Sequence, residues 1–242
     1  MVIQKYGSII RDTEFERTLR MDEKKDEYKE LQKKLRAVLS SMKPLEQDVL
    51  TMRFGLKEKY SATLETVGKQ FNISKADIRK IELKAILNMK REKRSLEAAE
   101  KVYKEEKYEE AFALYEKLAE HGNPSAQKAL GTMYAKGESV EQDYSKAFEL
   151  YEKAAEQGMA EAQYNLGYMY DNGFGVEKDY GKAFEWYQKA AEQGHSDALY
   201  NLGCMYDKGL GVEQDYEKAF EWYQKAADQG YAIAQLNLGV MY

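Results

Sequence analysis

MAEAQYNLGYMYDNGFGVEKDYGKAFEWYQKAAEQG, residues 159–194, recurs as HSDALYNLGCMYDKGLGVEQDYEKAFEWYQKAADQG at 195–230 and, more loosely, as NPSAQKALGTMYAKGESVEQDYSKAFELYEKAAEQG at 123–158. The period is 36 residues, enough for one supersecondary unit and too short for a domain. Such a unit buries its apolar face only by stacking on its neighbours. A fourth copy opens at Tyr231, and YEEAFALYEKLAEHG from Tyr108 matches a second half-repeat. The stretch from Leu96 to Tyr103 supplies the missing first half, which makes an atypical opening hairpin.

Within each copy, small and apolar residues return every three or four positions: Leu166, Gly167 and Tyr170, then Ala183, Tyr187, Ala190 and Ala191. That spacing describes two amphipathic helices with these residues inward. Tyr134, Tyr170 and Tyr206, with Met133, Met169 and Met205, are expected to fill space between hairpins rather than to bind a ligand. Asp143, Asp179 and Asp215 stand where a helix start wants an acceptor, and Gly158, Gly194 and Gly230 where a helix end wants a left-handed residue. Ser139 replaces Gly175 and Gly211 of the other copies, so its loop is expected to differ locally. Leu236, Leu238 and Met241 belong to the first helix of the last copy. Left uncovered, they would expose apolar surface, and self-association through that end is expected.

These repeats resemble the Sel-one-like repeat family, a relative of tetratricopeptide repeats, through A-x-x-NLG-x-M-Y-x-x-G-x-GV-x-x-DY-x-KAFEWY-x-KAA-x-x-G over Asn123 to Tyr242. The resemblance implies stacked hairpins in a right-handed superhelix whose concave surface binds other proteins.

Outside the array the composition changes sign. The net charge of -5 divides into +8 over residues 1–94, with 23 Lys+Arg against 15 Asp+Glu, and -13 over residues 95–242, with 14 against 27. A basic segment attracts polyphosphate surfaces and an acidic one is repelled by them, so nucleic-acid contact is expected in the first part only. Met1 to Arg20 lack the apolar run of a secretory signal, and nothing is apolar enough to span a membrane. Cys204 is the single cysteine, which excludes an intramolecular disulfide framework and, with the missing signal, points to the cytoplasm.

In the basic part, TLETVGKQFNISKADIRKIE (residues 63–82) has helix-turn-helix spacing. Val67, Phe71, Ile73, Ile78 and Ile81 pack two helices, Gly68 leaves room where they cross, and Asn72 suits the left-handed turn. Ser74, with Asp77 three residues on, makes a capping-box-like start. It leaves Lys75, Ala76, Arg79 and Lys80 at the exposed N-terminal end of the second helix, the end that enters a major groove. Before this motif, Thr13 to Leu39 is dense in charge, with Leu19, Leu31, Leu35 and Leu39 on a possible helical face. Asp22 to Lys34 reads best as an exposed, salt-bridged helix or a partly disordered arm.

LEQDVLTMRFGLKEKYSATLETVGKQFNISKADIRKIELKAILNMKR, from Leu45 to Arg91 and on to Arg94, resembles region four of sigma-seventy-class bacterial sigma factors. The resemblance implies a module that binds the flap of RNA polymerase and reads the promoter's minus-thirty-five element from the start of the recognition helix. It marks Ser74, Lys75, Ala76, Arg79, Lys80, Lys84 and Arg53 as DNA-contact candidates. Ala76 departs from an acid common in the family, which shifts base preference toward a thymine methyl, and Lys80 stands for a usual glutamine. Regions two and three have no counterpart in Met1 to Glu27. Lys90, Arg91, Lys93 and Arg94 could add sequence-blind phosphate affinity or form a solvated helix end.

Catalytic chemistry is not signalled. His121 and His195 flank hairpin glycines and read as turn residues, with no second ligand at metal spacing, and Cys204 lies inside a repeat helix. Gly173-Phe174-Gly175 and Gly209-Leu210-Gly211 lack the third glycine and preceding strand of a dinucleotide fingerprint. The expected fold is all-α: a charged extension (1–28), a sigma region 4-like helix-turn-helix domain (29–94), and an α-solenoid of helical-hairpin repeats (95–242), the last incomplete. The expected function is a non-enzymatic, cofactor-free, transcription-associated protein. Its partners would be promoter-like double-stranded DNA, RNA polymerase, and a protein on the array, for which Trp186 and Trp222 are the surface candidates if they do not pack between repeats. The alternative is an interaction scaffold or polymerase adaptor whose helix-turn-helix no longer reads DNA.

Overall fold

The computed structural model describes residues 22–57 and 61–241, and every regular element among them is a helix. They divide into two units: the described residues up to Glu105 with Glu120–Asn123, and Glu106–Ala119 with the residues from Pro124 onward.

The first unit contains α1 (Asp22–Leu39), α2 (Pro44–Phe54), α3 (Leu64–Phe71) and α4 (Lys75–Lys104). The helix expected of the Leu31, Leu35 and Leu39 spacing is present, but from Tyr28 onward one face of it is part of the core rather than exposed. Tyr28, Leu31, Leu35 and Val38 are buried at spacings of three and four residues, packed with Leu50, Phe54, Ala85, Ile86 and Met89. Exposed Lys29, Lys33 and Lys34 interrupt that stripe in the sequence, and Leu19 lies outside the described residues. On the next row of α1, Tyr28 and Gln32 donate to the Phe54 carbonyl at 2.9 and 2.6 Å, and Arg36 Nη2 to the Leu56 carbonyl at 2.7 Å. They satisfy the carbonyls that α2 leaves unpaired where it ends at the left-handed Gly55. The boundary expected after Arg94 falls inside α4, which runs unbroken to Lys104.

The second unit begins with α5 (Tyr108–Glu120) and continues with α6 (Pro124–Lys136), α7 (Tyr144–Glu156), α8 (Ala160–Asn172) and α9 (Tyr180–Glu192). It ends with α10 (Ser196–Lys208), α11 (Tyr216–Asp228) and α12 (Ala232–Met241). In the three full repeats the second helix starts on an aspartate whose carboxylate accepts a backbone N–H three residues on, from Lys146, Lys182 or Lys218, at 2.9–3.0 Å. Inside a hairpin, the glycine of the first helix faces a buried tyrosine of the second: Gly131 and Tyr151, Gly167 and Tyr187, Gly203 and Tyr223. Between hairpins, Tyr134, Tyr170 and Tyr206 meet Phe112, Phe148 and Phe184 edge-on, with centroids 5.3–5.6 Å apart. They pack as the spacing predicts.

A polar contact also recurs. Gln157 donates to Gln127 and Gln193 to Gln163, both at 2.7 Å; Leu199 interrupts the series, and Gln229 accepts from Ser196 instead. Ser139 keeps the left-handed backbone of its counterparts: φ is +67° there, against +67° at Gly175 and +68° at Gly211. The serine adopts the left-handed conformation at a cost, and its β-carbon excludes the close backbone approach that Gly175 and Gly211 make to Tyr144 and Tyr180. In α12, Leu238 is buried whereas Leu236 and Val240 are 70% and 83% exposed.

Candidate nucleic-acid interface

The first unit builds its helix-turn-helix from α3 and the start of α4. Thr63 Oγ1 caps α3 by accepting the Thr66 N–H at 3.0 Å. The chain then turns at Asn72 (φ +53°), whose N–H reaches the Gly68 carbonyl. Gly68 is required because a β-carbon there would stand 2.9 Å from the Ile73 carbonyl oxygen, with Ile78 Cδ1 farther off at 3.8 Å. The turn backbone, more than the helix crossing, sets that requirement. Ser74 starts α4, accepting the Asp77 N–H at 3.1 Å and donating its hydroxyl to Asp77 Oδ2 at 2.6 Å. Beneath the motif, Val49, Val67 and Ile78 are fully buried against one another.

This framework turns Ser74, Lys75, Ala76, Arg79 and Lys80 outward together, all exposed, on the first two turns of α4. Their partners are local and solvated: Lys80 Nζ lies 3.0 Å from Asp77 Oδ1, and Lys75 Nζ 4.0 Å from Glu65 Oε2. The Ser74 hydroxyl and then Lys80 hold the Asp77 carboxyl below the usual range, and Lys69 does the same for Glu65. Exposed pairs of this kind are worth little and exchange readily for a phosphate.

The other two contact candidates are placed differently. Arg53 points into the unit, 12% exposed, with Nε on Glu82 Oε1 at 3.0 Å and Nη1 on the Ala62 carbonyl at 2.8 Å. Lys84 Nζ grips both Glu46 oxygens at 2.7 and 2.8 Å. The sequence reading missed Glu46 and Glu82, because each pairs across elements, 38 and 29 residues away, where no local spacing signals it. Burial pushes the Glu82 carboxyl upward and Arg53 counters it; burial also opposes ionisation of Glu46, but Lys84 and the Lys43 N–H bring it below the usual range.

On the array, Trp186 and Trp222 are partly buried against the repeat core. Lys189 and Lys225 lie over their rings at 3.6 and 3.9 Å from the centroids. His195 stacks on Tyr164 with centroids 4.7 Å apart, and the Tyr223 hydroxyl lies 3.4 Å from Cys204 Sγ. Among the described residues no cluster of His, Cys, Asp or Glu could hold a metal, and no helix is long and apolar enough to cross a membrane.

Known proteins align with this division. The Sel1 repeat model matches residues 103–123, 124–159, 160–195 and 196–231, and the sigma-70 region 4 model matches 38–91. The RNA polymerase sigma factor SigA of Clostridium acetobutylicum is 40% identical over 68 residues, which are 28% of this chain and 18% of that protein. A Sel1 repeat protein from Oxalobacter formigenes superposes with a TM-score of 0.58 at 39% identity, covering 60% of each chain. A protective antigen of uropathogenic Escherichia coli with an SLR fold gives 0.61 at 31% identity, covering 82% of this chain and 41% of the antigen.

Proposed function

The chain belongs to the Sel1 repeat family, and because residues 38–91 also match sigma-70 region 4 we propose a transcription-associated DNA-binding protein. In this reading the region 4-like module engages promoter-like duplex DNA and RNA polymerase in the cytoplasm, and the repeat array recruits a protein partner. The observation that carries it is the joint exposure of Lys75, Ala76, Arg79 and Lys80 on the first two turns of a helix whose opposite face is buried. A helix entering a major groove offers base edges that part of its surface. Arg79 suits the two acceptors of a guanine edge, Ala76 a thymine methyl, and Lys75 and Lys80 the flanking phosphates. The array's negative charge disfavours a second phosphate-bearing ligand and leaves polypeptide recruitment as its task. No reaction and no cofactor enter this reading.

A second reading, a scaffold or polymerase adaptor that does not touch DNA, draws support from Ala76, which removes a polar base contact. Selection from a randomised duplex pool at low salt, with the full chain and with its Arg79→Ala variant, separates the two. The leading reading expects an enriched sequence containing a guanine whose enrichment disappears in the variant. No enrichment by the unaltered chain, or the same enrichment by both, contradicts it.

A further inference from the structure

Two cations that the family resemblance places on DNA are committed elsewhere. Lys84 spends its charge on Glu46, near the N-terminal end of α2, and Arg53, in the last turn of α2, spends its charge on Glu82. The anchor points lie seven residues apart on α2, about 10 Å of helix, but only two residues apart on α4, about 3 Å. Two contacts so unequally spaced on the two helices fix the angle at which they cross. Their polarity is also opposed: α2 supplies the anion at one end and the cation at the other, so sliding α4 toward either partner brings like charges together.

We propose that Arg53, Glu82, Glu46 and Lys84 are positioning residues, a two-point ionic clamp that sets the angle at which Lys75, Ala76, Arg79 and Lys80 meet the groove. The proposal rests on the DNA-binding reading and assigns Arg53 and Lys84 no phosphate of their own.

Burial supports the assignment. Glu82 is 1% exposed and its Oε2 has no hydrogen-bond partner, an arrangement tolerated only where Arg53 neutralises the site. Arg53 also holds the Ala62 carbonyl, immediately before the Thr63 cap of α3, while the Ala62 N–H returns to the Met52 carbonyl at 3.1 Å. One guanidinium therefore ties the end of α2 to both helices of the motif. A lysine could supply a phosphate contact at this position, but its single ammonium cannot reproduce the guanidinium fork that reaches Glu82 and Ala62 together. Arg79 lies one turn before Glu82 on α4, so a change in helix angle is felt first at the residue suited to guanine.

The test compares the affinity of the full chain for a duplex it enriches with its affinity for the scrambled sequence. Lys84→Glu, which sets two carboxylates together, should lower that ratio by about tenfold. Adding Glu46→Lys should restore it to within about threefold. If Lys84 instead contacts a phosphate, affinity for both sequences falls together, the ratio is unchanged in Lys84→Glu, and the slope of log affinity against log salt falls by about one in both variants. Arg53→Lys should lose the ratio by a similar factor with far-UV circular dichroism unchanged, and should keep it if Arg53 contacts a phosphate. Should Arg53→Lys not fold, the charge swap alone decides. An unchanged ratio in Lys84→Glu, an unrescued swap, or an unchanged ratio in a folded Arg53→Lys chain overturns the proposal. No duplex binding by the unaltered chain overturns the DNA reading and the clamp with it.

Discussion

Tyr187 occupies the space that a β-carbon on Gly167 would need: an ideal Cβ there would stand 2.7 Å from Tyr187 Cδ1. The same relationship joins Gly131 to Tyr151 at 2.8 Å and Gly203 to Tyr223 at 2.5 Å. One glycine per repeat therefore sets how closely the two helices of a hairpin approach, and the tyrosine ring closes the gap.

Gly203→Ala should lower stability by about 1–3 kcal/mol, because the fully packed Tyr223 ring cannot move away and overpacking outweighs alanine's better helix propensity. Gly239 is the same repeat position with nothing within 4 Å of an added β-carbon. Gly239→Ala should therefore stabilise, by up to about 1 kcal/mol. Urea unfolding followed by circular dichroism reads both signs, and equal signs would contradict the packing argument.

Ser139 holds a left-handed backbone that its counterparts Gly175 and Gly211 adopt without penalty. Ser139→Gly should raise stability by roughly 1 kcal/mol. A melting temperature that falls or stays constant would show that the serine side chain contributes something that offsets the strain.

The aspartate caps make the array sensitive to acid. The backbone N–H groups of Lys146 and Lys218 hold the Asp143 and Asp215 carboxyls below their ordinary value of 3.8. Folded protein thus binds fewer protons at these sites than unfolded protein does, so their contribution is full above about pH 4 and is lost as pH falls through the lowered folded values. Carboxyl chemical shifts recorded against pH should give midpoints below that of a free aspartate, and midpoints at or above it would remove the caps from the account.

How much of this was legible follows from the range of each interaction. Repeat helices, aspartate caps, glycine stops and the left-handed Asn72 are set by residues within a turn of one another, and the sequence spacing shows them directly. The outward group at Ser74, Lys75, Ala76, Arg79 and Lys80 was readable for the same reason, since a cap and a 3.6-residue period fix which side faces out. Arg53 and Lys84 were not. Their surroundings depend on Glu82 and Glu46, brought close only by the crossing of α2 and α4. The helical face of Leu31 and Leu35 in α1 was readable, but its burial was not, because the stripe of Tyr28, Leu31, Leu35 and Val38 is interleaved with charge that reads locally as solvent-facing.

The salt dependence of duplex affinity tests the central claim most directly. For the full chain, log affinity should fall steeply with log salt, and Lys75→Ala with Lys80→Ala should reduce the magnitude of that slope by about two while leaving the fold intact. Affinity that is independent of salt, or a slope unchanged by the two substitutions, would mean that the exposed start of α4 does not lie on DNA.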